Sequence, residues 1–233
     1  MGVNLKVLEA LYGDCIIISY GENKKSFILI DGGIGRQCYR NLKKFFRYLK
    51  KNDLKLDLLV LTHIDSDHIS GILKLFSESE FDFSRIKRMW FNYGQDLDEE
   101  LSIIREGDIE KIMIHDESSQ ISWKQATTLE ERISESGINK DIIIKTNDIY
   151  QIFKAKIKVL SPTVKVLKDF NNSWIKEGGS NTKIASKTDY NKTVEELMMK
   201  KFHENLSLAN KSSIAFLFEF ESAKACFWGI LLL

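Results

Sequence analysis

The stretch that decides the fold is residues 62–71, which have the sequence Thr-His-Ile-Asp-Ser-Asp-His-Ile-Ser-Gly. It follows the apolar run 56–61, whose only charged residue is Asp57, and this pattern is typical of a strand covered on both faces. Residues 69–76 then show the apolar spacing of a helix. Two imidazoles and two carboxylates are therefore expected where a buried strand ends, a setting in which a polar cluster needs a chemical reason.

The residue types in this stretch predict a metal site. Neutral imidazole nitrogen and carboxylate oxygen are the ligands that zinc and its neighbours prefer, and two carboxylates this close repel each other unless cations neutralise them. The predicted metal ligands are His63, Asp65, Asp67 and His68. A bound water acidified toward neutrality would leave Asp67 to orient that water and accept its proton, so Asp67 is the predicted catalytic residue. The alternative is a polar loop in which the two histidines only cap the following helix.

The flanking segments predict a sheet-rich chain with intervening helices. Residues 16–20 and 27–30 are β-rich runs on either side of a turn, which indicates an antiparallel hairpin. A helix is expected over the apolar positions of residues 39–49, and residues 86–91 are expected to form a strand parallel to the one before residue 62. Residues 96–120 fit either helix or strand, and that choice stays open.

The remaining elements are predicted from caps, turn residues and periodicity. Ser122 is expected to cap a helix that ends at Gly137. Further predicted elements are strands at 142–145 and 156–160, a short helix at 164–170, a polar loop insertion at 171–193, a brief helix at 194–202, and a closing hairpin of 214–220 with residues from 226 onward.

Composition sets limits on partners and location. The 233 residues predict a single domain over 1–233, and 34 basic against 33 acidic side chains leave a net charge of +1, too little to attract a polyanion as a whole. Three cysteines in apolar or helical settings indicate buried thiols in a reducing compartment. The N-terminus lacks the pattern of a secretory signal, and the apolar run at 226–233 is too short to span a bilayer. We therefore expect a cytoplasmic protein without a membrane segment.

Residues 62–71 resemble the T-H-x-D-x-D-H-x-x-G signature of the metallo-β-lactamase superfamily, in the variant with Asp where many members have a second His. Four further segments are similar to the branch that contains the soluble domain of bacterial DNA-uptake competence proteins, namely 13–15, 30–33, 160–162 and 210–214. The resemblance implies an α+β fold, an αββα sandwich with a metal site at one edge of its two sheets, and hydrolysis, with phosphodiesters as the favoured substrate class.

The resemblance also assigns roles to individual residues. It implies that His63 and Asp65 bind a first metal ion and that Asp67 and His68 bind a second. Asp31 is similar to the family's aspartate beneath the site, which would orient the ligands. The alternative for Asp31 is an ordinary aspartate of a turn at a strand end.

The chain departs from the family pattern near its end. The family continues after the closing hairpin with Gly-Asp, whose carboxylate bridges two metals, and later with a ligand histidine. Here Gly229 is followed by Ile230, and the sequence stops at Leu233. We therefore expect an αββα sandwich that is incomplete at the C-terminus. An exposed apolar edge at residues 227–233 would favour self-association.

Other candidate sites are weaker. His115 follows the apolar run 112–114 and could be a ligand at a strand end, although beside two acidic residues it is more often solvated. His203 is better explained as a partner of a helix C-terminus. The glycines form no phosphate-binding loop, no serine nucleophile motif is present, and no cofactor-binding residue is predicted.

Two functions from different classes remain. The first is a metal-dependent hydrolase that uses a metal-activated water on phosphodiester-type substrates, either small molecules or nucleic acid. The second is a truncated remnant that binds metal weakly or not at all and has lost catalysis.

Overall fold

The structure is a computed structural model that describes residues 2–22, 25–103, 119–177 and 207–228. The strands in these ranges are β1 (Val3–Val7), β2 (Ile16–Tyr20), β3 (Ser26–Ile30), β4 (Leu58–Val60), β5 (Met89–Trp90), β6 (Lys140–Asp141), β7 (Ile149–Ile152), β8 (Ala155–Ser161), β9 (Ala215–Phe220) and β10 (Ala223–Phe227). The helices are α1 (Arg36–Lys51), α2 (Ser66–Phe76), α3 (Gln95–Ile103), α4 (Ser119–Ser136), α5 (Val164–Glu177) and α6 (Leu208–Lys211).

The first sheet has the order β1-β2-β3-β4-β5-β6. The predicted hairpin is confirmed, because β2 and β3 pair antiparallel with Ile16 opposite Ile30. From β3 onward the pairs are parallel, which confirms the predicted parallel pairing of the strands on either side of α2. β4 lies in the middle of this sheet and is fully buried, as its continuous apolar sequence predicts.

Helices cover one face of the first sheet. The buried face of α1 consists of Cys38, Leu42, Phe46 and Leu49, at the spacing that the sequence predicts. α2 packs beside α1 and against α4, and the apolar side chains of all three helices share one core cluster with β4 and β5. α2 is therefore held firmly on the strand that it follows.

The second sheet has the order β10-β9-β8-β7 and is antiparallel throughout. Burial alternates along β8, where Ala155, Ile157 and Val159 point inward and Lys156 and Lys158 are exposed. The inward side chains share a core cluster with those of the first sheet. The two sheets thus pack face to face.

The molecule is an α+β sandwich, in agreement with the predicted fold class. The helical layer covers the first sheet. On the outer face of the second sheet, Lys156, Lys158 and Lys224 are exposed, and within the described ranges no helix lies over them. α5 instead packs against α3 and α6. The second helical layer of an αββα sandwich is therefore not found in the part of the chain that the structure describes.

Several predicted boundaries are corrected. α4 begins by Ser119, so Ser122 lies inside the helix and does not cap it. The strand predicted at 142–145 is wrong: β6 lies at Lys140–Asp141, and the backbone of Ile144 is instead bound by the side chain of Asn92.

Two predictions for the polar second half of the chain fall partly outside the described residues. α5 continues to Glu177, so residues 171–177 of the predicted loop insertion are helical. Residues 178–193, the helix predicted at 194–202 and both His115 and His203 lie outside the described ranges.

The closing hairpin is confirmed, and its second strand, β10, lies at the edge of the second sheet. Phe227 is not exposed as predicted, because its ring packs inward at 5.4 Å from that of Phe216. Trp228 is exposed, and residues 229–233 are outside the described ranges. Among the described helices, none is both long and apolar enough to cross a bilayer.

Candidate metal site

The chain places residues 62–71 at the carboxyl end of β4. The buried run of β4 continues through Leu61 and Thr62 to His63, and α2 then begins at Ser66, three residues before the predicted helix. Asp65 occupies the N-cap position of α2, where an aspartate commonly accepts a backbone N–H, yet its side chain makes no capping hydrogen bond. The Asp65 carboxylate thus remains available to the side chains around it.

Glycines let α2 approach the turn after β3. The backbone N–H of Gly32 donates to the His68 carbonyl at 2.7 Å, and that of Gly71 donates to the Gly33 carbonyl at 3.0 Å. A Cβ atom at Gly71 would lie 2.0 Å from the Gly32 carbonyl oxygen. The last residue of the 62–71 signature is therefore a glycine for a steric reason, since any side chain would push the helix off this turn.

Asp31 is the centre of a buried hydrogen-bond network. Its carboxylate accepts from the Thr62 backbone N–H at 2.8 Å and from the Thr62 hydroxyl at 2.7 Å. The same carboxylate lies 2.8 Å from Nδ1 of His68. Asp31 is fully buried and has a positive φ of 57°, a conformation that a non-glycine residue adopts at a cost and that is common at functional sites. Asp31 therefore lies beneath the two histidines, and its role in orienting metal ligands stays a prediction.

Donor counting fixes the proton positions on His63. The Thr62 hydroxyl has one proton and donates it to Asp31, so it can only accept at its 2.9 Å contact with Nδ1 of His63. Nδ1 of His63 therefore carries the hydrogen, and in the neutral imidazole Nε2 presents a lone pair. The His63 side chain is 0% exposed, and Nε2 has no hydrogen-bond partner among the described residues.

The two histidine–aspartate pairs lie side by side. Nε2 of His63 is 3.5 Å from Oδ2 of Asp65, and Nε2 of His68 is 3.8 Å from Oδ2 of Asp67. The two imidazole rings are 4.1 Å apart. Both carboxylates are about one-third exposed, at 31% and 38%, whereas both imidazoles are buried. The nitrogens thus form the floor of a small site, and the carboxylates form its mouth.

The electrostatics favour a charged His68 in the absence of a cation. Burial disfavours the imidazolium, but the hydrogen bond and charge of Asp31, with the charges of Asp67 and Asp14, outweigh it and raise the pKa of His68 to about 9. At neutral pH His68 is then an imidazolium paired with Asp31. A cation that binds Nε2 must displace this proton.

Sequence reasoning missed Asp14 as a site residue, although it singled out residues 13–15 as a motif. Burial raises the pKa of Asp14; the charge of His68 opposes that shift, and Asp31 and Asp67 add to it. Asp14 precedes β2, and the hairpin of β2 and β3 brings it to the edge of the sheet where Asp31 lies. The chain distance of 17 residues between them hid this neighbourhood.

The donor atoms of these residues are of the types that bind a metal ion, but the side chains do not converge on one point. A buried imidazole nitrogen with a lone pair and no partner, beside carboxylate oxygens, is a donor set suited to zinc or manganese. Among the described residues, no three His, Cys, Asp or Glu side chains are arranged closely enough to hold an ion in this conformation. Binding would need side-chain rotation, further ligands, or both.

A comparison with known protein families finds a match for the N-terminal part of the chain. Residues 8–100 match the family model of the metallo-beta-lactamase superfamily, and that range contains Asp14, Asp31 and residues 62–71. Residues 8–100, which are less than half of the chain, are therefore similar to the metallo-beta-lactamase superfamily.

One solved structure has a weaker likeness. It is a metallo-beta-lactamase from Staphylococcus aureus subsp. aureus COL, 14% identical over 95% of this chain, with a TM-score of 0.39. A TM-score this low does not establish a shared fold. The chain spans 40% of the length of that protein. No curated protein sequence matches the chain.

Proposed function

We propose that the chain is a metal-dependent hydrolase whose cation site is formed by the two histidine–aspartate pairs of residues 62–71. The observation that carries this proposal is Nε2 of His63, which is buried, unpartnered and next to Asp65. A buried polar atom without a partner is costly, and proteins rarely keep one without a use. The family match over residues 8–100 supports the same assignment.

The residues have separable roles in this proposal. Asp31 holds the Nδ1 proton of His68 and so directs Nε2 toward the site, and Thr62 does the same for His63. A bound zinc or manganese ion would supply a Lewis acid and an acidified water. Asp67, which is partly exposed at the mouth of the site, would accept the proton of an attacking water.

Phosphodiesters are the proposed substrate class. This part of the proposal rests on the resemblance of residues 62–71 and of the four flanking segments to the competence branch of the superfamily. The net charge of +1 means that a nucleic-acid substrate would be attracted by the site itself rather than by the field of the whole molecule. A cytoplasmic location stays part of the proposal.

The test is hydrolysis of bis-p-nitrophenyl phosphate by the full chain, first stripped with chelator and then supplied with Zn²⁺ or Mn²⁺. We expect turnover to return with metal and to fall by at least about 100-fold in Asp67→Asn, since general-base groups contribute about 10²–10⁴-fold. Asp53→Asn is the matched control, because it removes the same charge from an exposed position paired with Arg85. Equal turnover in all three proteins would contradict the proposed role of Asp67.

A second function is favoured by a specific observation. No three candidate ligands of the described residues converge on one point in this conformation, so a protein that binds metal weakly or not at all and has lost catalysis is the alternative proposal. The two proposals differ in metal content. A chain that retains no Zn²⁺ after dialysis at micromolar concentrations and shows no metal-dependent turnover would support the second proposal.

A further inference from the structure

The Asp67–His68 pair provides only two side chains that could bind a metal ion. Its two side chains face each other at 3.8 Å, and Nδ1 of His68 is already used by Asp31. Protein sites for zinc commonly provide three or more side-chain ligands. If the pair binds a cation, another donor must approach from a neighbouring element.

The segment before β2 approaches this pair closely. Gly13 has a positive φ of 72°, and a Cβ atom there would lie 2.2 Å from the backbone carbonyl oxygen of Asp67. Glycine is therefore required for steric and conformational reasons, and the backbone beside it touches the first turn of α2. The next residue, Asp14, is partly buried, and its carboxylate makes no hydrogen bond to any other described residue.

The charge balance around Asp14 is negative. The ionisable groups nearest to it are His68, Asp31, Asp67 and His63. Among the described residues, the only ion-pair partners of Asp31, Asp65 and Asp67 are the two histidines. A fourth carboxylate placed here increases the repulsion unless a cation neutralises it. The unpartnered Nε2 of His63 independently indicates that the same pocket receives a ligand.

We infer that Asp14 is a cation-binding carboxylate of this pocket, on the side of Asp67 and His68. The inference rests on the proposed metal-dependent function and adds to it a ligand from outside residues 62–71. With Asp14, that side of the site would offer two carboxylates and one imidazole, which do not converge in this conformation and would have to rotate to bind one ion. An oxygen-rich donor set of this kind suits Mn²⁺ as well as Zn²⁺.

The test is Mn²⁺ binding by the full chain, measured as the loss of the free-ion electron paramagnetic resonance signal during titration. We expect Asp14→Asn to weaken binding by at least about tenfold, because even groups that only support a ligand change affinity by about 10- to 100-fold. Asp14→Glu keeps a carboxylate and should retain part of the affinity. Glu9→Gln is the matched control, since it removes one charge from an exposed position of the same segment.

The outcomes separate the inference from the proposed function. If the parent binds Mn²⁺ and Asp14→Asn binds it equally well, Asp14 is not a ligand, while the proposed function stands. If the parent binds no Mn²⁺ and no Zn²⁺, the proposed function and the inference both fail. An equal loss in Asp14→Asn and Glu9→Gln would indicate a general charge effect and would also overturn the inference. Circular dichroism of each variant shows that it is folded.

Discussion

The site has two halves that differ in how their polar atoms are used. In the hydrogen-bonded half, Asp31, Thr62 and His68 satisfy one another through contacts of 2.7–2.8 Å. In the open half, Nε2 of His63 faces Asp65 at 3.5 Å without a hydrogen bond. Both halves use the end of β4 and the start of α2, but only the hydrogen-bonded half includes a buried carboxylate from a second strand end, that of Asp31 after β3.

This difference separates stability from function. A satisfied buried network contributes to folding, and removing one member leaves the others unpaired. An open, partly exposed pair of groups contributes little to folding and is available for a ligand. We therefore expect changes in the hydrogen-bonded half to affect the free energy of unfolding, and changes in the open half to affect cation binding.

The largest expected effect is that of Asp31→Ala on the stability of the metal-free protein. The variant leaves a buried imidazolium and a buried hydroxyl without their partner, which should lower the free energy of unfolding by about 3–5 kcal/mol. Urea denaturation in chelator measures this loss. Asp65→Ala in the open half is the control, because Asp65 makes no capping hydrogen bond, and it should change stability by no more than about 0.5 kcal/mol. Equal losses in the two variants would remove the distinction between the halves.

The pH dependence of stability is the second test. The folded-state pKa of His68, about 9, lies above its ordinary value of 6.5, so the stabilisation from its charge is complete below pH 6.5 and is lost as pH rises through 9. The total loss is on the order of 3 kcal/mol. Urea denaturation of the metal-free protein at a series of pH values measures it. A His68→Gln variant that keeps the same pH dependence over this range would show that another group is responsible.

A smaller effect is expected from Gly71→Ala. The added Cβ would lie 2.0 Å from the Gly32 carbonyl oxygen, so α2 must shift, at a cost of about 1–3 kcal/mol. Ser70→Ala, one position earlier in α2, is the control for helix propensity. Because the shift moves His68 away from Asp31, Gly71→Ala should also reduce the pH dependence described above. A variant as stable as the parent would contradict the packing argument.

Much of the fold could be predicted because its elements have strong local patterns. The continuous apolar run of β4, the amphipathic spacing of α1 and the turn between β2 and β3 each specify one structure. The strand at 142–145 was misplaced because Asn92, 52 residues from Ile144, binds the backbone there. Such a long-range side-chain contact leaves no local signal.

Part of the candidate site could also be predicted from local sequence, and part of it could not. His63, Asp65, Asp67 and His68 lie within six residues, so their neighbourhood is visible in the sequence. The exact start of α2 could not be predicted from the sequence, because the side chain of Asp65 makes no capping hydrogen bond. Asp14 was missed because only the pairing of β2 with β3 brings it near Asp31. Chemistry that depends on sheet registry is hidden until the sheet is known.

Cobalt binding by the full chain tests the central claim, that Nε2 of His63 is kept free for a cation. Co²⁺ replaces zinc and gives visible absorption bands when nitrogen and oxygen ligands bind it. We expect the metal-free parent to develop these bands on titration with Co²⁺ and His63→Phe, which keeps a ring of similar size, to lose them while remaining folded. A parent without such bands, or a His63→Phe variant with the same bands and affinity, would contradict the claim.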